Sequence, residues 1–237
     1  MTVALLALLV ATGAVAQAVS GIGFGLVCGP MLVFTLGPAD GVRTCVVLSF
    51  VVNIAVLARS HQHVHWKKAL GLLLPAVIAT PVLAVALRQV PERVAQGLAG
   101  LAALAGASAL AFGLRWPAAA SRKGMVGAGV LSAAMNDAAG IGGPAVALWS
   151  DNAGWSLEET RGTLQVYFLA LNAVAMATLG LPHQSGTRYA VELVALLGGL
   201  AAGAALAGRI PSYRARQVTL GLAATGGLVV IARALLA

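Results

Sequence analysis

From Val3 to Leu36 the chain runs 34 residues without one charged side chain. A water-soluble domain needs polar cover over every element, and this stretch offers none. As one straight helix it would measure about 51 Å at 1.5 Å per residue, against a hydrocarbon core of about 30 Å. The stretch therefore belongs in a bilayer and must break there. Seven more apolar segments follow: Thr44–Ala58, Ala69–Leu87, Val94–Leu114, Met125–Trp149, Gly162–Leu181, Tyr189–Ala207 and Val218–Leu236. The stretches between them, such as Pro38-Ala39-Asp40-Gly41, Arg59–Lys68 and Asp151–Arg161, are too short for a soluble domain. The reading is an all-α polytopic membrane protein of about eight membrane segments. Only 9% of residues are charged, where soluble domains carry about 25%, which argues against a soluble enzyme and a disordered chain. The net charge of +8 sits singly or in threes between apolar runs, as juxtamembrane charge does, so nucleic acid is not an expected partner. Met1–Ala18 ends in small residues like a leader, but no Lys or Arg precedes it, and a cleaved leader is the lesser reading.

Two segments carry their own interruptions. The first reads Ser20-Gly21-Ile22-Gly23-Phe24-Gly25-Leu26-Val27-Cys28-Gly29-Pro30, the second Asn136-Asp137-Ala138-Ala139-Gly140-Ile141-Gly142-Gly143-Pro144. Glycine and proline at this density do not sustain a helix. The Gly-Pro pairs lie 114 residues apart, and further matches follow: Arg43 with Arg161, Phe50 with Phe168, Lys67 with Arg188, Val90-Pro91 with Ile210-Pro211. Asn53 and Asn172 fall one residue out of that register. The expectation is a duplicated chain, residues 1–118 and 119–237, each half a broken helix plus three helices. If each broken segment turns back on itself, the loops carry ten Lys and Arg on one side and five on the other; single crossings give eight and seven. The hairpin topology restores the positive-inside bias, with Arg59–Lys68, Arg115–Lys123, Asp151–Arg161 and Arg209–Arg216 cytoplasmic. It makes the repeats inverted, a design of secondary transporters.

A helix that starts inside a membrane presents free N–H groups and a partial positive charge, which suit an anion. Pro30 and Pro144 fit the first turn of such half-helices. This predicts an anion site from Gly25, Cys28, Gly29 and Pro30 of one break and Asn136, Gly140, Gly142, Gly143 and Pro144 of the other. The competing use of these glycines is close helix packing. Asn53, Gln165, Tyr167 and Asn172 are candidate donors to the anion, or bridges between helices. Asp137 is the one acid deep in an apolar segment, and an unpaired carboxylate there is costly. It is the candidate for proton coupling; capping the next half-helix is the alternative. Arg43 and Arg161 would guide anions at the entrance or anchor segment ends. His61, His63 and His65 read as an interfacial loop without an acidic partner, not as a metal site. Trp66, Trp116, Trp149 and Trp155 stand at segment ends, as an aromatic belt does.

The Gly21–Pro30 run, the Gly140–Pro144 run and the arginine 13 to 17 residues after each proline resemble the sulfite exporter TauE/SafE family, over nearly the whole chain. Cys28 and Asn136-Asp137 depart from its usual pattern. The resemblance implies a permease of about eight segments in a bacterial inner membrane, moving sulfite, thiosulfate or organosulfur anions. The expected partners are a small anionic substrate, the lipid bilayer and, as an option, a second copy of the chain; no cofactor, metal or catalysis is expected. An uncoupled anion channel, or an assembly or redox subunit using Cys28, are the other readings.

Overall fold

The computed structural model describes residues 3–21, 23–114, 120–207 and 209–236. They form ten α-helices: α1 (Val3–Ser20), α2 (Phe24–Leu36), α3 (Pro38–Ser60), α4 (Trp66–Leu87), α5 (Glu92–Ala111), α6 (Arg122–Ala139), α7 (Gly143–Asn152), α8 (Leu157–Leu179), α9 (Gly186–Leu206) and α10 (Ser212–Leu236). Seven are long and apolar enough to cross a membrane: α1, α3, α4, α5, α8, α9 and α10. The protein is an all-helical polytopic membrane protein. Ile22, Trp116 and most of the Arg115–Lys123 loop lie outside the described residues.

Both interrupted segments are broken, but the first not where the sequence suggested. Helix α1 ends at Gly21, with φ at 79°, and α6 ends at Gly140, with φ at 70°. An L side chain is strained in this left-handed region, so glycine ends the helix there. Pro144 lies in the first turn of α7, as expected. Pro30 does not begin a half-helix; it lies inside α2, which starts six residues earlier. It removes the helical donor to the Leu26 carbonyl without ending α2. Pro38-Ala39-Asp40-Gly41 is likewise not a loop. Gly37, with φ at 82°, makes the turn and Pro38 opens α3. Proline at the first helical position has no N–H to waste, so it starts a helix as readily as it stops one. Asp151–Arg161 is also mostly helical, which places Arg161 inside α8.

Each broken pair folds back on itself, so the loops sort onto two faces. On one, His63 Nε2 meets Glu158 at 3.3 Å, Lys68 pairs with Glu159, and Arg216 pairs with Asp151 at 3.2 Å. The expectation of a histidine loop without acids is thus corrected: Glu158 and Glu159 approach it from α8. We call this the basic face. On the other, Arg43 pairs with Asp40 at 3.1 Å, and the His183 N–H donates to Asp40. Arg93 donates to the Ala234 and Leu235 carbonyls near the C-terminus.

Five arginines share one task. Arg161 donates to the Val19 carbonyl at the end of α1, Arg43 to Leu179 at the end of α8, and Arg216 to Leu110 at the end of α5. Arg233 reaches Phe34 at the end of α2, and Arg93 the end of α10. The last carbonyls of a helix have no partner in their own helix, and leaving them bare in a low-dielectric surround is costly. A guanidinium satisfies them and opposes the negative end of the helix dipole.

Glycines set the closest helix approaches. A Cβ on Gly100 would lie 2.8 Å from the Gly227 carbonyl, and one on Gly227 would lie 2.7 Å from the Gly100 carbonyl. Helices α5 and α10 therefore cross backbone to backbone, as small residues permit in membranes. Gly199 and Gly203 of α9 seat α1 along Ala11–Ala18, and Gly129 of α6 seats α4 at Leu72.

Candidate functional site

Helix α2 packs its Gly25 and Gly29 against the carbonyls of Gly140 and Ala139, the end of α6. These two glycines accommodate the other break, backbone to backbone. This contact brings the N-termini of α2 and α7 to one small cavity of about 40 Å³. Its polar lining is Gln17, Ser49, Asn53, Asn136 and Asn172, with Gly25, Gly140, Gly142 and Gly143 of the two breaks. Phe24, Leu26 and Phe168 close it. Among the described residues, no carboxylate or cationic side chain lines it. A water needs about 10–15 Å³ measured this way, so the space suits a few waters or one small oxyanion.

Asn53 is 4% exposed, and its Nδ2 has no partner among the described residues. A buried amide N–H without an acceptor is rare and costly. Opposite it, Asn136 Nδ2 donates to Asn172 Oδ1 at 3.2 Å. Ser132 Oγ donates to the Gly142 carbonyl at 2.6 Å, holding the α6–α7 turn. The α1–α2 turn is held by Gln17, whose Nε2 donates to the Gly21 carbonyl and whose Oε1 accepts from the Phe24 N–H, both at 3.1 Å. Asn53 and Asn172 are each the sixteenth residue of a 23-residue helix, α3 and α8. Both line the chamber.

The candidate residues named from sequence divide in two. Gly25, Asn53, Asn136, Gly140, Gly142, Gly143 and Asn172 line the cavity. Cys28 does not: its Sγ donates to the Leu9 carbonyl of α1 at 3.4 Å, and a Cβ on Gly13 would collide with it. Gly29, Pro30 and Pro144 face neighbouring helices, Pro30 against Gly226 of α10 and Pro144 against Gly106 of α5. Gln165 donates to the Gly21 carbonyl at 3.4 Å, and Tyr167 is fully buried behind the cavity wall. Gln17 and Ser49 line the cavity without having been singled out. Counting from the left-handed glycines instead of the prolines matches Gln17, though not Ser49, to a candidate. That offset, 119, sets Gln17 on Asn136 and Ser49 on Phe168, and it aligns Asn53 with Asn172.

Asp137 faces a different space. It adjoins Asn136 on α6, yet it lines a cavity of about 430 Å³ that opens beside Gly37, Arg43, Arg88 and Glu92. It is 4% exposed, and neither carboxylate oxygen has a partner among the described residues. It makes no capping bond to α7, whose cap residue is Gly142. A smaller cavity of about 250 Å³ opens toward the basic face, lined by Ser20, Asp151, Thr160 and Arg216 among others. The small polar chamber shares Leu26 with this cavity, and its Asn136 adjoins Asp137 of the other, which makes the two larger cavities its candidate antechambers. Arg43 lines the first; Arg161 lines neither and holds the end of α1 instead.

A family model described as Sulfite exporter TauE/SafE matches residues 5–231. No curated protein and no solved structure matches the chain.

Proposed function

The chain belongs to the sulfite exporter TauE/SafE family, a family of membrane permeases, and from that membership and the chamber between the breaks we propose a secondary transporter of small sulfur oxyanions. The observation that carries the reading is the unpartnered Nδ2 of Asn53 in a chamber where two half-helices begin. Helix N-termini and neutral amides together favour an anion without a fixed countercharge. An ion so held binds by hydrogen bonds alone and can leave again. Sulfite and thiosulfate suit the chamber's size; a longer organosulfur anion would enter once the surrounding helices part.

We read the chain as two inverted repeats, 1–118 and 119–237. Helices α6, α7 and α8 begin 119 residues after α1, α2 and α3, and α9 and α10 begin 120 after α4 and α5. Packing follows the same exchange: α1 on α9 matches α6 on α4, and α1 on α10 matches α6 on α5, while α3–α8 and α5–α10 map onto themselves. The chamber's residues pair across this exchange, which supports its place at the repeat interface.

Proton coupling is assigned to Asp137. A charged carboxylate near the chamber would repel the anion, and a protonated one would not. The proton would reach it through the 430 Å³ antechamber, while Asn136 on the next position faces the anion. A bacterial inner membrane, with the basic face in the cytoplasm, fits the charge bias. The test is uptake of labelled sulfite, thiosulfate and sulfonates into proteoliposomes with an imposed pH gradient. Saturable, gradient-dependent uptake is expected; uptake of none of these anions would overturn the substrate assignment.

A further inference from the structure

Gln17 is 4% exposed and lines the chamber, and both ends of its amide are engaged at the α1–α2 turn: Oε1 accepts from the Phe24 N–H and Nε2 donates to the Gly21 carbonyl. The amide orientation follows from its neighbours, since a backbone N–H needs an acceptor and a carbonyl needs a donor. Phe24 is the first residue of α2. Its N–H is among those a helix N-terminus would give to an anion. The Val27 N–H is already bonded to the Gly23 carbonyl at 2.9 Å. In the chamber, then, a neutral carbonyl oxygen stands where an oxyanion oxygen would be received.

The second break is built differently at the matched position. Asn136 donates to Asn172 and its Oδ1 stands beside the cap residue Gly142, but among the described residues no side chain accepts from the first N–H groups of α7. One half-helix start is closed by a side chain and the other is not. The surroundings also provide for Gln17 to leave. The Gly21 carbonyl keeps a second donor in Gln165 Nε2 at 3.4 Å, and the same Gln165 amide carries a buried Oε1 without a partner. Release of Gln17 frees the Phe24 N–H, which the anion satisfies, and leaves the Gln17 amide to find new partners, for which the Gln165 Oε1 is an acceptor in the same cluster.

We propose that Gln17 is an internal competitor of the substrate: its carbonyl holds the Phe24 N–H in this structure and yields it to the bound anion. This rests on the anion-site reading of the chamber and adds a positioning residue to it. Gln17 sets how tightly the anion binds, and it ties binding to the bond that joins α1 to α2. Breaking that bond frees the α1–α2 turn to move, which links occupancy to the conformation of the first break.

The test is equilibrium binding of labelled sulfite to the purified full-length protein in lipid nanodiscs. Gln17→Met, close in shape and without an acceptor, is expected to bind sulfite about three- to tenfold more tightly than the parent. Gln17→Asn, too short to reach the Phe24 N–H, is expected to move the same way and covers the case in which the methionine variant does not fold. Gln17→Glu, where ionised, places an anion on the same N–H, and binding measured at high pH is expected to fall by at least about tenfold. Equal or weaker binding by folded Gln17→Met or Gln17→Asn, with Asn53→Ala impaired, would overturn the competitor role and leave the anion site standing. Unchanged binding in Asn53→Ala would remove the site itself, and the competitor with it.

Discussion

Asn53 is the residue on which the functional reading turns. Replacing it with alanine removes a donor whose partner would be charged, an interaction worth about 1.5–3 kcal/mol, so substrate affinity should fall roughly 10- to 100-fold. A saturation curve for uptake measures this directly, and an unchanged half-saturation concentration would sink the assignment. Asp137→Asn should keep anion binding but lose the response to an imposed pH gradient, because a neutral amide mimics the protonated acid at every pH. Uptake that still follows the gradient in this variant would end the coupling role of Asp137. Asn53, Asn136, Asn172 and Asp137 were legible in sequence because polar side chains stand out in apolar runs. Gln17 and Ser49 were not. Gln17 sits in a run of small residues that looks like leader sequence, and its function depends on a turn four residues away.

At the scale of the element, the breaks are made by glycine geometry. Gly140→Ala would force φ near +70° on a residue with a side chain, at a cost of about 1–2 kcal/mol, and would set its Cβ 2.7 Å from Cys45. A clear loss of thermal stability in detergent is expected. Pro30→Ala, in contrast, should preserve the fold and transport, because the first break lies at Gly21–Gly23 and not at Pro30. Loss of the half-helix start in that variant would contradict this account. The number of membrane segments and the presence of both breaks could be read from sequence, since length and apolar character fix them. The position of the first break could not. Four glycines compete for it, and the choice is made by tertiary contact: Gly25 and Gly29 are needed as helical residues against the carbonyls of Ala139 and Gly140. Pro38 misled for a related reason, since the same residue stops one helix and starts another.

Over the whole molecule, the proposed fold-back of both breaks predicts sidedness. A cysteine at Ser121 and one at Ser185 should label from opposite faces of sealed vesicles with a membrane-impermeant reagent; labelling from one face would refute the topology. The charge bias in the loops points to this arrangement, although five of the arginines also hold helix ends. The exchange of halves is also imperfect, and the imperfection carries information. Helix α4 packs closely on α8, whereas its counterpart contact, α3 on α9, is slight; α2 packs closely on α3, whereas α7 barely touches α8. On the repeat reading proposed above, two copies of one plan have settled into different shapes. If each half can take the shape the other now holds, the chain encodes a second structure of comparable energy, in which α3 closes on α9 as α4 leaves α8. The larger antechamber would then open on the basic face instead. Alternation between the two sides of a membrane needs no hinge of its own in such a protein: it is a trade of roles between twins.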